Sequence, residues 1–176
     1  ITIAGTCAFI CCDVGLVVVS IDNPLKPRIT SVLGHDVLRY PTSVQIQFRY
    51  AFVCDQGGLA VLDVTDMTRP RPVARLATPR AHSLYVARTY AYLAAGKKGL
   101  VIVDVANPLK PRIDQVFTAA GAINDLHDVK LGVTYSSLFA YLADGRNGLR
   151  VVQLTSSTTP GSGGFRPRPE PRLIAT

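Results

Sequence analysis

A Gly-Leu step recurs four times along the chain, at Gly15-Leu16, Gly58-Leu59, Gly99-Leu100 and Gly148-Leu149, so that its leucines lie 43, 41 and 49 residues apart. A period just above forty residues is that of propeller blades, and it restricts the fold more than any other feature of the sequence. A short apolar run follows each step, over residues 16–21, 59–64, 100–105 and 149–154. These runs are too short to span a membrane and too rich in β-branched residues for a comfortable helix, so each reads as a buried strand. In the third copy the run meets Ala106-Asn107-Pro108-Leu109-Lys110-Pro111. Proline has no N–H to give to a ladder and biases its predecessor to extended geometry, so the strand must stop there.

Upstream of each Gly-Leu lies a second strand that opens on alanine, over residues 8–11, 51–54, 91–94 and 140–143. The turns joining it to the apolar run carry Gly, Asp and Asn, residues expected to supply the positive φ of tight hairpins. A third strand is expected after the proline loop, at 28–33, 72–76 and 112–117, and a fourth before the alanine strand, at 43–50, 83–90 and 128–135, with residues 1–6 opening the first copy. Four short hairpin-connected strands make one twisted antiparallel sheet with two apolar faces. Such a sheet cannot bury both faces alone, so copies must stack around an axis. The fold class is therefore all-β, a β-propeller of about four four-stranded antiparallel blades, either a whole set or part of a larger propeller. Residues 1–155 form the blades. Residues 156–171 hold Gly161-Ser162-Gly163-Gly164 and then Arg166-Pro167-Arg168-Pro169-Glu170-Pro171, a flexible link followed by a stiff polyproline-like arm. Residues 172–176 repeat the pattern of an outer strand returning to the last blade.

Hydrophobic residues make up 48% of the chain and charged ones 18%, a composition that excludes a disordered protein. The net charge of +7 raises the question of nucleic acid. Much of the excess lies in proline-flanked loops and in the tail rather than on one face with interleaved aromatics, which argues against a phosphate-tracking surface and for an acidic protein or anionic surface. No stretch reaches the length of a transmembrane helix. The chain opens on Ile1 rather than methionine, as expected of a processed product or a portion of something longer. Its cysteines are Cys7, Cys11, Cys12 and Cys54. They form no C-x-x-C pair, which leaves covalent haem and a closed zinc site without support. Cys11 and Cys54 share a small-residue core position with Ala94 and Ala143, Cys12 is expected at the surface, and a disulfide through Cys7 or Cys12 stays open.

The run Leu100-Val101-Ile102-Val103-Asp104-Val105, with Asn107-Pro108 after it and Ala91-Tyr92-Leu93 before it, resembles the LVIVD repeat of bacterial and archaeal surface proteins. Ala51-Phe52-Val53 and Gly58-Leu59-Ala60-Val61-Leu62-Asp63-Val64 carry the same pattern, whereas Ser20 and Gln153 stand where the aspartate is expected. The resemblance implies a β-propeller that is usually exported, hence extracellular, at the cell surface or periplasmic. It brings no catalytic motif and no cofactor.

Asp63 and Asp104 repeat with the blade and are expected to accept hydrogen bonds from backbone N–H groups of the following turn. His82 and His127 hold matched positions at the start of an innermost strand, near one mouth of a propeller channel. There they either pin loops or ligate a metal, with His35, Asp36, Asp125 and Asp128 nearby in sequence. The sequence lacks G-x-S-x-G, P-loop, H-E-x-x-H and EF-hand patterns, so no enzyme is expected. The expected function is a non-enzymatic exported scaffold or accessory subunit of a larger surface assembly, including one docked on a multihaem cytochrome. Its partner contacts are expected at Arg69, Arg71, Arg166, Arg168 and Arg172. The alternative is a ligand- or metal-binding or enzymatic propeller that uses the channel mouth around His82 and His127.

Overall fold

The computed structural model describes residues 1–175. They form four antiparallel sheets of four strands each, every one in simple up-and-down order. The first sheet contains β1 (Thr2–Ala4), β2 (Cys7–Cys12), β3 (Gly15–Ser20) and β4 (Arg28–Leu33). The second contains β5 (Ser43–Gln47), β6 (Tyr50–Asp55), β7 (Gly58–Asp63) and β8 (Arg71–Leu76). The third contains β9 (Ser83–Ala87), β10 (Tyr90–Ala94), β11 (Leu100–Asp104) and β12 (Arg112–Phe117). The fourth contains β13 (Leu126–Thr134), β14 (Ser137–Asp144), β15 (Gly148–Thr155) and β16 (Arg172–Ala175). The expected returning strand is therefore present, and Thr176 lies outside the described residues. Among the described residues the only helical turn is the 3-10 turn Ala119–Gly121, and no helix is long and apolar enough to cross a membrane.

The chain divides into two compact units, Ile1–Ala81 with the loop Pro108–Pro111, and His82–Asn107 with the chain from Arg112 onward. Side-chain alternation gives every sheet two faces. We call the face carrying the aromatic of the alanine strand and the leucine of Gly-Leu the leading face, and the other the trailing face. In the first unit the leading face of β1–β4 (Phe9, Cys11, Leu16, Val18) shares one core with the trailing face of β5–β8 (Ala51, Val53, Ala60, Leu62). In the second unit the leading face of β9–β12 (Tyr92, Ala94, Leu100, Ile102) shares one core with the trailing face of β13–β16 (Ala140, Leu142, Val152, Leu154). Both cores are thus built by one rule.

The glycine of each Gly-Leu step supplies the positive φ that the sequence predicts, but Asp and Asn in the same turns do not. At Gly58, φ is +118° and an added Cβ would lie 2.3 Å from the carbonyl oxygen of Leu76, so the position excludes any side chain. A second hairpin in each sheet joins the first two strands through two residues, with positive φ at Gly5, Phe48, Arg88 and Tyr135. The last three are not turn-forming residue types, and the expected strands 43–50, 83–90 and 128–135 include them. Phe48 and Tyr135 are exposed at these tips.

The arm over residues 156–171 lies outside every strand, and it is docked on its own unit. Pro167 and Pro169 are buried, the Gln115 side-chain amide donates to the carbonyl oxygen of Pro169 at 2.8 Å, and Glu170 N donates to Leu154 O at 2.7 Å. A chain this rich in proline cannot join a ladder, but it presents free carbonyls and apolar rings that an adjacent sheet edge can use.

Candidate functional site

The repeat's aspartates hold the loops that leave each sheet. Asp63 accepts from Thr65 N at 2.8 Å and Asp104 from Ala106 N at 2.9 Å, the Asx geometry expected of them. Their second oxygens do further work. Asp63 Oδ2 pairs with Arg49 at 2.8 Å, and Asp104 Oδ2 receives both Arg112 at 2.9 Å and Arg166 of the arm at 2.8 Å. Hydrogen bonds from Thr65 and then Arg49 bring the Asp63 carboxyl down to about 2. Burial pushes Asp104 upward, yet Ala106 N, Arg112 and Arg166 together hold it below the usual carboxylate value.

Two further aspartates, Asp55 and Asp144, end the alanine strands and are buried. Asp55 accepts from Arg39 N at 2.9 Å and Gly57 N at 2.7 Å and is gripped by Arg75 at 2.8 Å. Asp144 accepts from Asn124 N at 2.9 Å, Arg146 N at 3.2 Å and the Asn147 side-chain amide at 2.9 Å. Each ties its hairpin turn to the segment entering the same sheet. These are structural clamps that a buried carboxylate can make only when fully hydrogen-bonded.

A groove of about 440 Å³ opens where the β7–β8 loop emerges, lined by Arg49, Asp63, Thr65, Asp66, Arg69 and Arg71. Both acids in it are occupied: Asp63 as above, and Asp66 by Thr68 N at 3.0 Å and Thr68 Oγ1 at 2.6 Å. Among the described residues Arg69 and Arg71 form no ion pair, so the groove presents two guanidiniums to solvent. The other arginines of the expected contact surface are placed differently. Arg166 meets Asp104, and Arg168 meets Asp114 at 3.2 Å, so both are engaged within the chain. Arg172 opens β16 and is exposed.

His82 and His127 come together. His82 N donates to Ala94 O at 2.8 Å, and paired hydrogen bonds between Gly96 and Leu126 draw the start of β13 alongside. The two imidazoles stack with centroids 4.8 Å apart and planes at 27°, both exposed. His127 Nε2 lies 3.4 Å from Asp125 Oδ1, and a Cβ at Gly145 would sit 3.1 Å from the His127 ring, so the glycine makes room for it. His35 packs instead against Tyr40 in the first unit, and Asp128 is taken up by Ser83 and Val129 N. No group of three or more His, Cys, Asp or Glu side chains is arranged to hold a metal among the described residues. The pair therefore offers two imidazoles, with water left to complete any coordination.

All four cysteines are free. Cys54 is fully buried, and burial raises its thiol pKa. Burial likewise pushes the Cys11 thiol up to about 11. Cys7 and Cys12 stand at opposite ends of β2, across from Ser20 and Gly15, which removes any disulfide between them.

A second cavity, of about 430 Å³, lies among Arg88, Val133, Tyr135, Ser137, Leu138 and Ser162, where two hairpin tips of the second unit meet the arm. Its strained, exposed tip residues escaped sequence reasoning. The signal was there: aligned with Gly5, the turn position holds Phe48, Arg88 and Tyr135, residues poorly suited to a positive φ.

Four up-and-down four-stranded sheets, each one sequence repeat long, define a protein of the β-propeller class. The LVIVD repeat profile matches residues 39–78, 80–117 and 132–160, more than half of the chain. The chain belongs to the LVIVD repeat family. No curated protein matches it. Among solved structures it is similar to the computationally designed Ika8 protein, with a TM-score of 0.56 at 11% sequence identity. That similarity covers 86% of this chain and 43% of the Ika8 chain, so this chain spans less than half of the designed one, and it concerns the fold alone. The first repeat escapes the family profile, yet β1–β4 form the same sheet. Ser20, in the aspartate's place, donates from its hydroxyl to Asp22 at 2.7 Å, moving the carboxylate two residues along the loop.

Proposed function

We propose that this protein is a non-enzymatic, exported interaction module, a scaffold or accessory subunit of a larger surface assembly, whose partner docks through acidic groups on the Arg69/Arg71 groove. The observation that carries this reading is the groove itself, in which both aspartates are already satisfied while both guanidiniums face solvent. Loops held rigidly by a sheet scaffold are where recognition residues are placed. Planar guanidiniums suit carboxylates because they bind them through two parallel hydrogen bonds. The resemblance to surface proteins supports export, and a multihaem cytochrome with an acidic docking patch is one partner of the required chemistry.

Cross-linking of the protein in its native envelope fraction, with the linked protein identified by mass spectrometry, tests this. Wild type should give one defined acidic partner, linked near Arg69, and R69E/R71E should lose it. Haem absorbance in the linked complex would identify the cytochrome form. Equal linking by the variant overturns the groove reading.

The stacked imidazoles favour a second reading, a weak metal- or ligand-binding site at His82 and His127. Titration with Zn²⁺ tests it: stoichiometric binding by wild type that is lost in both His82→Ala and His127→Ala supports a shared ligand pair. No binding by wild type sinks it.

A further inference from the structure

We propose that the chain associates head to tail with a second copy of itself, the leading face of β13–β16 in one copy docking on the trailing face of β1–β4 in the other. Both seams inside the units pair a leading face with a trailing face, and neither pairs like with like. Four faces have no such partner within their own unit, and the two that belong to the first and last sheets carry exposed large hydrophobic residues. The trailing face of β1–β4 holds Ile3, Ala8, Ile10, Val17, Val19, Ile29 and Val32, an aliphatic surface without a single charge. Ile3, Ile29 and Val32 on it are 65%, 68% and 51% exposed. The leading face of β13–β16 holds Phe139, Tyr141, Ala143, Leu149 and Val151, with Leu149 61% and Tyr141 40% exposed. Its charges, Asp128, Lys130 and Arg172, stand on the first and last strands, at the rim, and Asp128 pairs with Lys130 at 3.4 Å.

These two faces are complementary by the rule that built the existing seams. Position by position, Tyr141, Ala143, Leu149 and Val151 match Tyr92, Ala94, Leu100 and Ile102, all of which are buried. Likewise Ala8, Ile10, Val17 and Val19 match Ala51, Val53, Ala60 and Leu62, again all buried. Each seam gathers an aromatic of the leading face and an alanine of the trailing face into one core, Phe9 with Ala51 and Tyr92 with Ala140. Tyr141 against Ala8 of a second copy repeats that arrangement. Tyr141 is already preset, since its ring covers Gly132, where a Cβ would come within 2.9 Å of it. Exposed aliphatic surface of this extent marks an association site in a folded protein. The occupant that presents the complementary face, repeat for repeat, is another copy of this chain. A contact between two different faces is heterologous, which dictates how it is disrupted and how it is rescued. The inference uses blade faces only and does not rest on the Arg69/Arg71 groove.

Sedimentation velocity of the full chain over about a hundredfold dilution series should show a species of at least twice the monomer mass at the high end. Leu149→Glu and Val32→Glu each remove one face at an exposed position, and each variant alone should be monomeric. Mixed in equal amounts they should form a dimer and nothing larger, because one seam remains intact and both outer faces are blocked. Circular dichroism and a thermal melt matching wild type confirm that each variant is folded, and Leu149→Met should keep the association. A wild type that stays monomeric throughout overturns the proposal. So does either charge variant that still associates, or a mixture of folded variants that does not recover the dimer.

Discussion

Leu100 and Leu149 follow the same glycine in neighbouring repeats of one unit, yet Leu100 is fully buried and Leu149 is exposed. The contrast extends to their sheets. Every residue of β10 and β11 is buried, whereas β14 alternates, with Ala140, Leu142 and Asp144 inside and Tyr141 and Ala143 outside. The difference is written in the strands. Leu100-Val101-Ile102-Val103 is unbroken, as in a strand covered on both faces, while Arg150 and Gln153 interrupt Leu149-Arg150-Val151-Val152-Gln153. In these two sheets the unbroken run belongs to the strand that is buried throughout, and the interrupted run to the strand that keeps Leu149 exposed.

Matched substitutions sharpen this contrast most. Leu100→Ala should cost about 2–5 kcal/mol, because it empties a fully packed site. Leu149→Ala, measured at concentrations where the chain is monomeric, should cost less than about 0.5 kcal/mol, as surface changes do. Equal losses in denaturant titrations would break the comparison.

The arm comes next. Replacing residues 156–171 by a short bridge removes two buried prolines and the Arg166–Asp104 pair, so the melting temperature should fall by several degrees, at about 2–4 °C per kcal/mol for a chain of this size. An unchanged melt would mean that the arm does not support β9–β12.

At the aspartate position, Asp104→Asn should cost about 1–3 kcal/mol by leaving Arg112 and Arg166 without their charged acceptor, whereas Gln153→Ala should change little. The pH dependence has a definite sign. The folded-state value of Asp104 is depressed, so its contribution is fully present above the ordinary carboxylate value of about 4 and is lost as pH falls through the lower folded value. Asp104→Asn should therefore flatten the acid limb of the stability profile, and an unaltered limb counts against the assignment.

The smallest effect is expected at the stacked imidazoles. His82→Ala and His127→Ala should each cost about 1 kcal/mol or less, the scale of one aromatic contact, and the double variant less than the sum. Full additivity in denaturant titrations would show that the rings do not interact.

Much of this was readable in the residues, because period, apolar runs and breakers are local. The Gly-Leu step and the prolines located the strands to within about three residues, the first strands of the second and third sheets being expected to run on to Tyr50 and Tyr90 where the ladders stop at Gln47 and Ala87. Leu154, expected to end its strand, is followed by Thr155 still in the ladder, a small miss at an unpunctuated end. What stayed hidden depends on partners distant in sequence. Asp55 is a buried clamp only because Arg75 and Arg39 N arrive beside it, and no spacing announces that. Arg166 and Arg168 read as free cations in the sequence because their acceptors, Asp104 and Asp114, lie more than fifty residues upstream. The His82–His127 stack was approached from repeat position alone, but its geometry needed the hydrogen bonds between Gly96 and Leu126.

The late return of β16 also sets an order of assembly. In the first three sheets each strand follows its partner after a short turn or loop, so those ladders can zip as the chain emerges. The fourth sheet must wait for Arg172–Ala175, separated from β15 by the whole of residues 156–171. Closing that longer loop costs entropy before any contact rewards it, and meanwhile the edge of β15 stands unpaired. The arm's grip on Asp104 and Asp114 shortens the search by delivering its end to the open edge, so completion of the fourth sheet is expected to be the last step of folding.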